Sequence, residues 1–340
     1  MTYAYEAEIA ELEASYSWAR SFDITRLASA VSRSLDLPLV AVGSGGALTS
    51  AALVATLHRW FAEALALITT PLLLTGSLPK DRRAAVVLIS AGGGNEDIRA
   101  ALRAAAERAP RRMIVLCGQP ESPLVEDANS IEIADIIAVP LPGRDRFLAT
   151  HSLVAFSVLL TRAYASAFHR PAFLPTSLKE LIDASLAAPG GLSALARRCE
   201  PLWRCENLLI LHDASTFPGA VDLESRLAES AIMPAQVADF RGFAHGRQLW
   251  LARPDKKPGV LALASPDTRN LAASTLELLP NSAPAVTIEW NGNTPDVALA
   301  SALTSIHLAA FAGRARGVDL GKPPIHDFVM QLYKMKMPAR

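Results

Sequence analysis

Cysteine is scarce in this chain: three residues in 340, Cys117, Cys199 and Cys205. The number is odd, and no pair has zinc-finger or redox-motif spacing. The thiols read as free in a reducing cytoplasm, with Cys117 a small hydrophobe in the apolar run Met113-Ile114-Val115-Leu116. Excess charge of either sign is missing, since Lys plus Arg and Asp plus Glu each number 33. That balance removes the electrostatic case for nucleic acid or an anionic membrane as partner. Long apolar runs are missing too. The most hydrophobic stretches, 64–74 and 148–160, are interrupted by Pro71 or His151 and fall short of the ~20 residues that cross a bilayer. The first residues are acidic and lack the apolar core of a signal peptide. These absences together predict a soluble cytoplasmic protein. No metal or cofactor is expected.

What is present is a large stock of core material. Hydrophobic residues make up 51% of the chain but aromatics only 6%, and alanine is abundant, which favours helices packed on a sheet. The length suits two ordinary domains. Two strand-to-helix turns stand out. Val42-Gly43-Ser44-Gly45-Gly46-Ala47 closes the apolar run 37–41, and Ser90-Ala91-Gly92-Gly93-Gly94-Asn95-Glu96-Asp97 closes 84–89. Small residues there let backbone N–H groups and a helix N-terminus approach an anion closely. Two such turns in succession suggest a site for a phosphorylated small molecule.

The pattern divides the chain into similar halves. A helix over 6–21 reads as a docking or dimer arm within a segment 1–24. A first half, 25–168, places strands at 39–42, 86–90, 113–117 and 136–139 between helices at 48–67, 97–108 and 149–168. A Pro- and Gly-rich segment, 169–195, frames one helix at 177–187 and reads as a linker. A second half, 196–340, repeats the order with strands at 208–211, 260–264 and 286–290 and helices at 220–232, 271–278 and 297–315. Strands alternating with helices at this spacing predict an α/β fold of two doubly wound parallel-sheet units, each of about five strands.

Four segments resemble the double-SIS (sugar isomerase) proteins. They are Gly43-Ser44-Gly45-Gly46-Ala47; Ile89-Ser90-Ala91-Gly92-Gly93-Gly94-Asn95-Glu96-Asp97; the stretch 217–247 ending in Phe240-Arg241-Gly242-Phe243-Ala244-His245-Gly246; and Arg316-Gly317-Val318-Asp319-Leu320-Gly321-Lys322-Pro323-Pro324. The resemblance covers nearly the whole chain in order. It implies tandem SIS domains that isomerise a ketose phosphate and an aldose or amino-sugar phosphate, a carboxylate moving a proton between C1 and C2. It also implies a homodimer with a shared site. Glu229 falls at the family's base and His245 at its ring-opening His. Ser44, Gly45, Gly46, Ala47, Ser90, Gly92, Gly93 and Asn95 fall at its phosphate loops, and Thr150 and His151 where a Ser-Thr-Lys run often lies near the ligand. Nothing resembling a glutaminase domain precedes residue 25, so amide transfer from glutamine is not expected.

Each residue also has a plainer reading. On the helix 220–232, Leu223, Leu227 and Ala231 form the apolar face. Asp222, Ser225, Arg226 and Glu229 then form a solvated stripe by periodicity alone. His245 suits a turn and Asn95 a helix N-cap. His212 and Asp213, following a strand, suit a ligand edge or a cap equally. Departures from the family are specific. Its phosphate-binding hydroxyls fall on Ala47, Gly92 and Asn95. Its C-terminal Lys has no match, the position falling near Phe328 with Lys334 and Lys336 beyond. Two functions therefore stand open: an isomerase or deaminase, favoured by Glu229 and His245, and a non-catalytic sugar-phosphate sensor, favoured by the missing hydroxyls. Apolar positions Ile9, Leu12 and Tyr16, and Phe328, Leu332 and Tyr333 in the tail, are the surfaces expected to meet a second copy.

Overall fold

The computed structural model of the protein describes residues 3–77, 83–253 and 255–335; Lys336 lies outside them. The chain forms two compact units. One comprises Ala14–Ala172 with the segment from Pro323 onward, the other the N-terminal segment to Glu13 with Phe173–Lys322.

The first unit holds five parallel strands, β1 (Leu39–Val42), β2 (Ala66–Thr69), β3 (Ala85–Ser90), β4 (Arg112–Cys117) and β5 (Ala134–Ala138). They lie in the order β2-β1-β3-β4-β5, with Leu39 facing Ala66 on one side and Ala85 on the other. Val86, Leu88, Met113 and Val115 pack with Ile98 and Leu102 of the helix Glu96–Arg108. The helices Thr25–Ser32 and Gly46–Ala62 both pack against His151–Ala167. β2 is a strand where helix was expected over 48–67. Glu63 takes a left-handed conformation, φ 50°, which ends the helix and turns Ala66–Thr69 back along β1.

Among the described residues the second unit holds four strands rather than about five: β6 (Asn207–His212), β7 (Ala235–Asp239), β8 (Pro258–Ala264) and β9 (Ala285–Glu289), ordered β7-β6-β8-β9. Its connectivity matches β2-β1-β3-β4 of the first unit. Among the described residues no counterpart of β5 follows: the chain passes from β9 directly into the helix Thr294–Arg316. That helix is long and apolar enough to cross a membrane by composition, but 78% of the apolar stretch is buried within the protein. It packs lengthwise on the helix Phe217–Glu229. The approach is close at Gly219, where a Cβ would lie 2.7 Å from the Ser301 carbonyl oxygen.

The N-terminal arm is two helices, Ala4–Ala10 and Leu12–Ser21. Leu12 and Tyr16 are fully buried within the chain and Ile9 half-buried, so this stripe does not face outward as expected. The tail residues Phe328, Leu332 and Tyr333 are exposed.

The polar stripe of the helix Phe217–Glu229 is also not solvated throughout. Asp222 and Arg226 are buried, one turn apart, and form an ion pair. Ser305 donates to Asp222. The guanidinium donates to the Tyr5 hydroxyl at 2.8 Å, which in turn donates to the Ile306 carbonyl at 3.2 Å. Burial disfavours the cation, but the Asp222 and Tyr5 partners outweigh it and raise the Arg226 pKa. Removing one member strands the other charge. Arg226→Ala should therefore cost about 3–5 kcal/mol of unfolding free energy, and the double change Arg226→Met with Asp222→Leu distinctly less. Urea denaturation followed by tryptophan fluorescence compares them, and a double variant less stable than the single one would refute this account.

Candidate functional site

Strand order reverses direction between β1 and β3, so the loops after these strands diverge to opposite faces and leave a crevice at their C-terminal ends. The two glycine turns are these loops. Gly45 is left-handed at φ 54° and precedes the helix Gly46–Ala62. Gly46 is pressed against the Ala149 methyl, which a Cβ would meet at 2.1 Å. In the second turn Gly93 is left-handed, φ 63°, and a Cβ there would strike Ser122 Oγ at 2.3 Å. Gly92 and Gly94 differ, since a Cβ on either meets nothing within 4 Å. The N–H groups of Ser44, Gly45, Gly46, Gly92 and Gly94 donate to no protein acceptor among the described residues. Both turns thus carry bare N–H groups at a helix N-terminus, and the second has open space beside Gly92 and Gly94, an arrangement suited to an oxyanion.

The side chains of this crevice are partly committed. Ser90 Oγ accepts from Gly93 N–H at 3.0 Å and keeps its own hydrogen to donate. Asn95 is the N-cap of the helix Glu96–Arg108, its Oδ1 accepting from Asp97 N–H at 2.7 Å, so only its amide NH2 is left for a ligand. Ala47 donates its N–H to the Ser44 carbonyl at 3.2 Å.

Thr150 and His151 face other partners. Asp145, which sequence reasoning did not single out, lays its carboxylate across the start of the helix His151–Ala167. It accepts the N–H groups of Thr150 and Ser152, both at 3.0 Å, and the Ser152 hydroxyl at 2.5 Å. His151 is buried, with Nδ1 2.8 Å from Ser15 Oγ. An acid shortly before a Thr-x-Ser helix start was the available signal for Asp145.

In the second unit the equivalent crevice lies between β6 and β8, and it is filled from within. Asp213 Oδ1 accepts the N–H groups of Ser215 and Thr216 at 2.8 and 2.9 Å. Its Oδ2 accepts the Ser265 N–H at 2.8 Å and the Thr268 hydroxyl. Burial pushes this carboxyl up, but the hydrogen bonds from Thr268, Ser265 and Thr216 prevail and hold it below the usual range.

Glu229 ends the helix Phe217–Glu229, and its carboxylate accepts from Ser225 Oγ at 2.5 Å. The residue as a whole is exposed, while nearby protein mass still desolvates its carboxyl. Desolvation pushes the carboxyl above its ordinary range against the opposing pull of Ser225 and Arg226. The negative end of the helix dipole acts in the same direction. His245 is the exposed C-cap of the helix Phe240–Ala244.

No protein-family model and no curated protein matches the chain. Solved structures do. Glucosamine-6-phosphate deaminase from Thermotoga maritima superposes with a TM-score of 0.70 at 16% identity, covering 94% of this chain and 97% of that one. The C-terminal domain of glucosamine-fructose-6-phosphate aminotransferase from Francisella tularensis gives 0.71 at 13% identity, covering 94% and 98%. Tagatose-6-phosphate ketose/aldose isomerase from Escherichia coli gives 0.67 at 16%, covering 96% and 99%. The chain thus has the two-unit α/β fold of these sugar-phosphate proteins, and the double-SIS resemblance read from its motifs is borne out at the level of fold.

The depressed Asp213 carboxyl has a signed consequence. Its stabilisation is present above the unfolded value near pH ~4 and is lost as pH falls through the lower folded value. Asp213→Asn should cost about 1–3 kcal/mol at pH 7, with the gap to the parent closing in acid. Urea midpoints at pH 7 and pH 3 measure it; a gap independent of pH would contradict the assignment.

Proposed function

We propose that the protein binds a sugar phosphate and isomerises it, moving a proton between C1 and C2 of an aldose/ketose phosphate or an amino-sugar phosphate. The observation that carries this reading is the bare N–H cradle of the Ser44–Gly46 and Gly92–Gly94 turns. A phosphate seated there takes its hydrogen bonds mainly from backbone, with Ser90 and the Asn95 amide contributing side-chain donors. Glu229 serves as the base, its raised pKa bringing a carboxylate closer to the task of abstracting a carbon-bound proton. His245 serves as the acid/base that opens the sugar ring. The working form is a cytoplasmic homodimer that offers the exposed tail residues Phe328, Leu332 and Tyr333 to a second copy. Neither nucleic acid nor membrane is a partner.

A second reading is favoured by a specific observation. Hydroxyls are absent at Ala47 and Gly92, and the donors at Thr150 and Ser152 are taken by Asp145. A sensor that binds sugar phosphate without turning it over needs fewer such contacts and no base.

The two readings part on one measurement, exchange of solvent deuterium into C1 or C2 of fructose 6-phosphate and a panel of hexose, pentose and hexosamine phosphates. For the isomerase, exchange occurs, Glu229→Gln lowers it about 10³-fold, and His245→Ala lowers turnover of cyclic substrate more than of open-chain substrate. The rate rises with pH through the raised Glu229 value and levels above it. Binding without exchange in the parent, unchanged in both variants, selects the sensor. Absence of binding to every phosphate in the panel, and of any loss in Gly92→Asp, rejects the cradle itself.

A further inference from the structure

Beside the filled crevice of the second unit lies a cleft of about 420 Å3 whose chemistry is unlike that of the phosphate turns. One wall is the edge strand β7, where Ala235, Val237 and Asp239 alternate onto one face. The other is the helix Phe217–Glu229, where Phe217, Val221 and Glu224 share a stripe at helical spacing. His212, the last residue of β6, and Arg247 complete the lining.

The polar groups in this lining are mostly acceptors. His212 Nδ1 lies 2.9 Å from the Asp213 carbonyl. A carbonyl only accepts, so Nδ1 carries the hydrogen, and burial lowers the imidazole pKa so that the ring is neutral at pH 7. Nε2 therefore presents a lone pair. Asp239 uses Oδ1 to cap Arg241 and Gly242, at 2.9 and 2.8 Å, and these bonds keep it ionised. Glu224 is half-buried and has no cationic partner among the described residues. Burial first, then Glu229, raises its pKa. Arg247, exposed, likewise has no anionic partner among the described residues. The apolar remainder is a hydrocarbon wall of Val221 and Val237, with the Phe217 ring 4.9 Å from that of His212.

Three acceptors beside one guanidinium and an apolar wall call for a ligand with an ammonium group, an anionic group near it and a hydrophobic part. We infer that this cleft binds a free α-amino acid with an apolar side chain. Its ammonium lies among Glu224, Asp239 and His212 Nε2, its carboxylate on Arg247, and its side chain against Val221, Val237 and Phe217. Charge-assisted hydrogen bonds at both ends supply orientation, and the apolar wall supplies burial. The site belongs to the second unit and does not depend on the phosphate reading. An amino-sugar phosphate shares the ammonium-plus-anion chemistry and is the competing source.

Calorimetric titration of the full chain tests the assignment. L-leucine should bind. N-acetyl-L-leucine, which lacks the ammonium, and L-leucinol, which lacks the carboxylate, should each bind at least tenfold more weakly. Glu224→Gln should weaken L-leucine at least tenfold and leave N-acetyl-L-leucine unchanged. Arg247→Ala should weaken L-leucine and spare L-leucinol. Neither side chain is in the core, and circular dichroism checks each fold. If Glu224→Gln does not fold, the Arg247→Ala pair of titrations decides alone. Gly92→Asp, which places a carboxylate in the phosphate cradle, should leave leucine binding intact. Equal binding of the three leucine compounds, no binding at millimolar concentration, or glucosamine 6-phosphate displacing leucine in the parent and in Gly92→Asp would overturn the inference.

Discussion

The constraint on which the rest of this structure depends is the reversal of strand order in a parallel sheet. Where the chain leaves two adjacent strands for opposite faces, backbone donors converge on a crevice that the sheet itself cannot close. Something with negative charge must satisfy them, or water must. The protein resolves this twice and differently. After β1 and β3 the donors are left bare by glycine turns. After β6 and β8 they close on the carboxylate of Asp213. The two units thus share a strand order but differ in whether the polypeptide satisfies its own turn donors.

Much of this architecture is legible in the residues, and the limits are instructive. The central strands β1, β3, β4, β6 and β8 are short apolar runs ending in small or polar turns, a pattern with few competing explanations. The edge strands β2 and β7 are not. Ala66–Thr69 continues an alanine- and leucine-rich stretch that favours helix, and only the left-handed Glu63 breaks it. Ala235–Asp239 is short and mixes polar with apolar residues, since an edge strand is buried on fewer sides. The missing fifth strand of the second sheet was hidden because a repeat seen in one half is naturally extended to the other.

Polar residues were the harder case. Helical periodicity separates polar from apolar faces, but it cannot separate water from a buried ion pair. Asp222 and Arg226 share a stripe with exposed Glu229, yet they lie against Tyr5 and Ser305 from distant parts of the chain. His151 shows the same limit at the site. Its position near a helix start suits a ligand, and only the three-dimensional placement of Ser15 reveals its hydrogen-bond partner. Asn95 held both its readings, since capping uses its oxygen and leaves its amide.

Asp213 carries a last consequence. A crevice that waits for a metabolite has a rigidity that tracks supply, loosening when the pool is drained and tightening when it refills. A crevice that carries its counter-ion in the polypeptide has none of that dependence. Its local order is a property of the gene product alone, constant across nutritional states. The loops that Asp213 joins keep their geometry without any ligand, and the cost of ordering them is met once, at folding, rather than at every encounter.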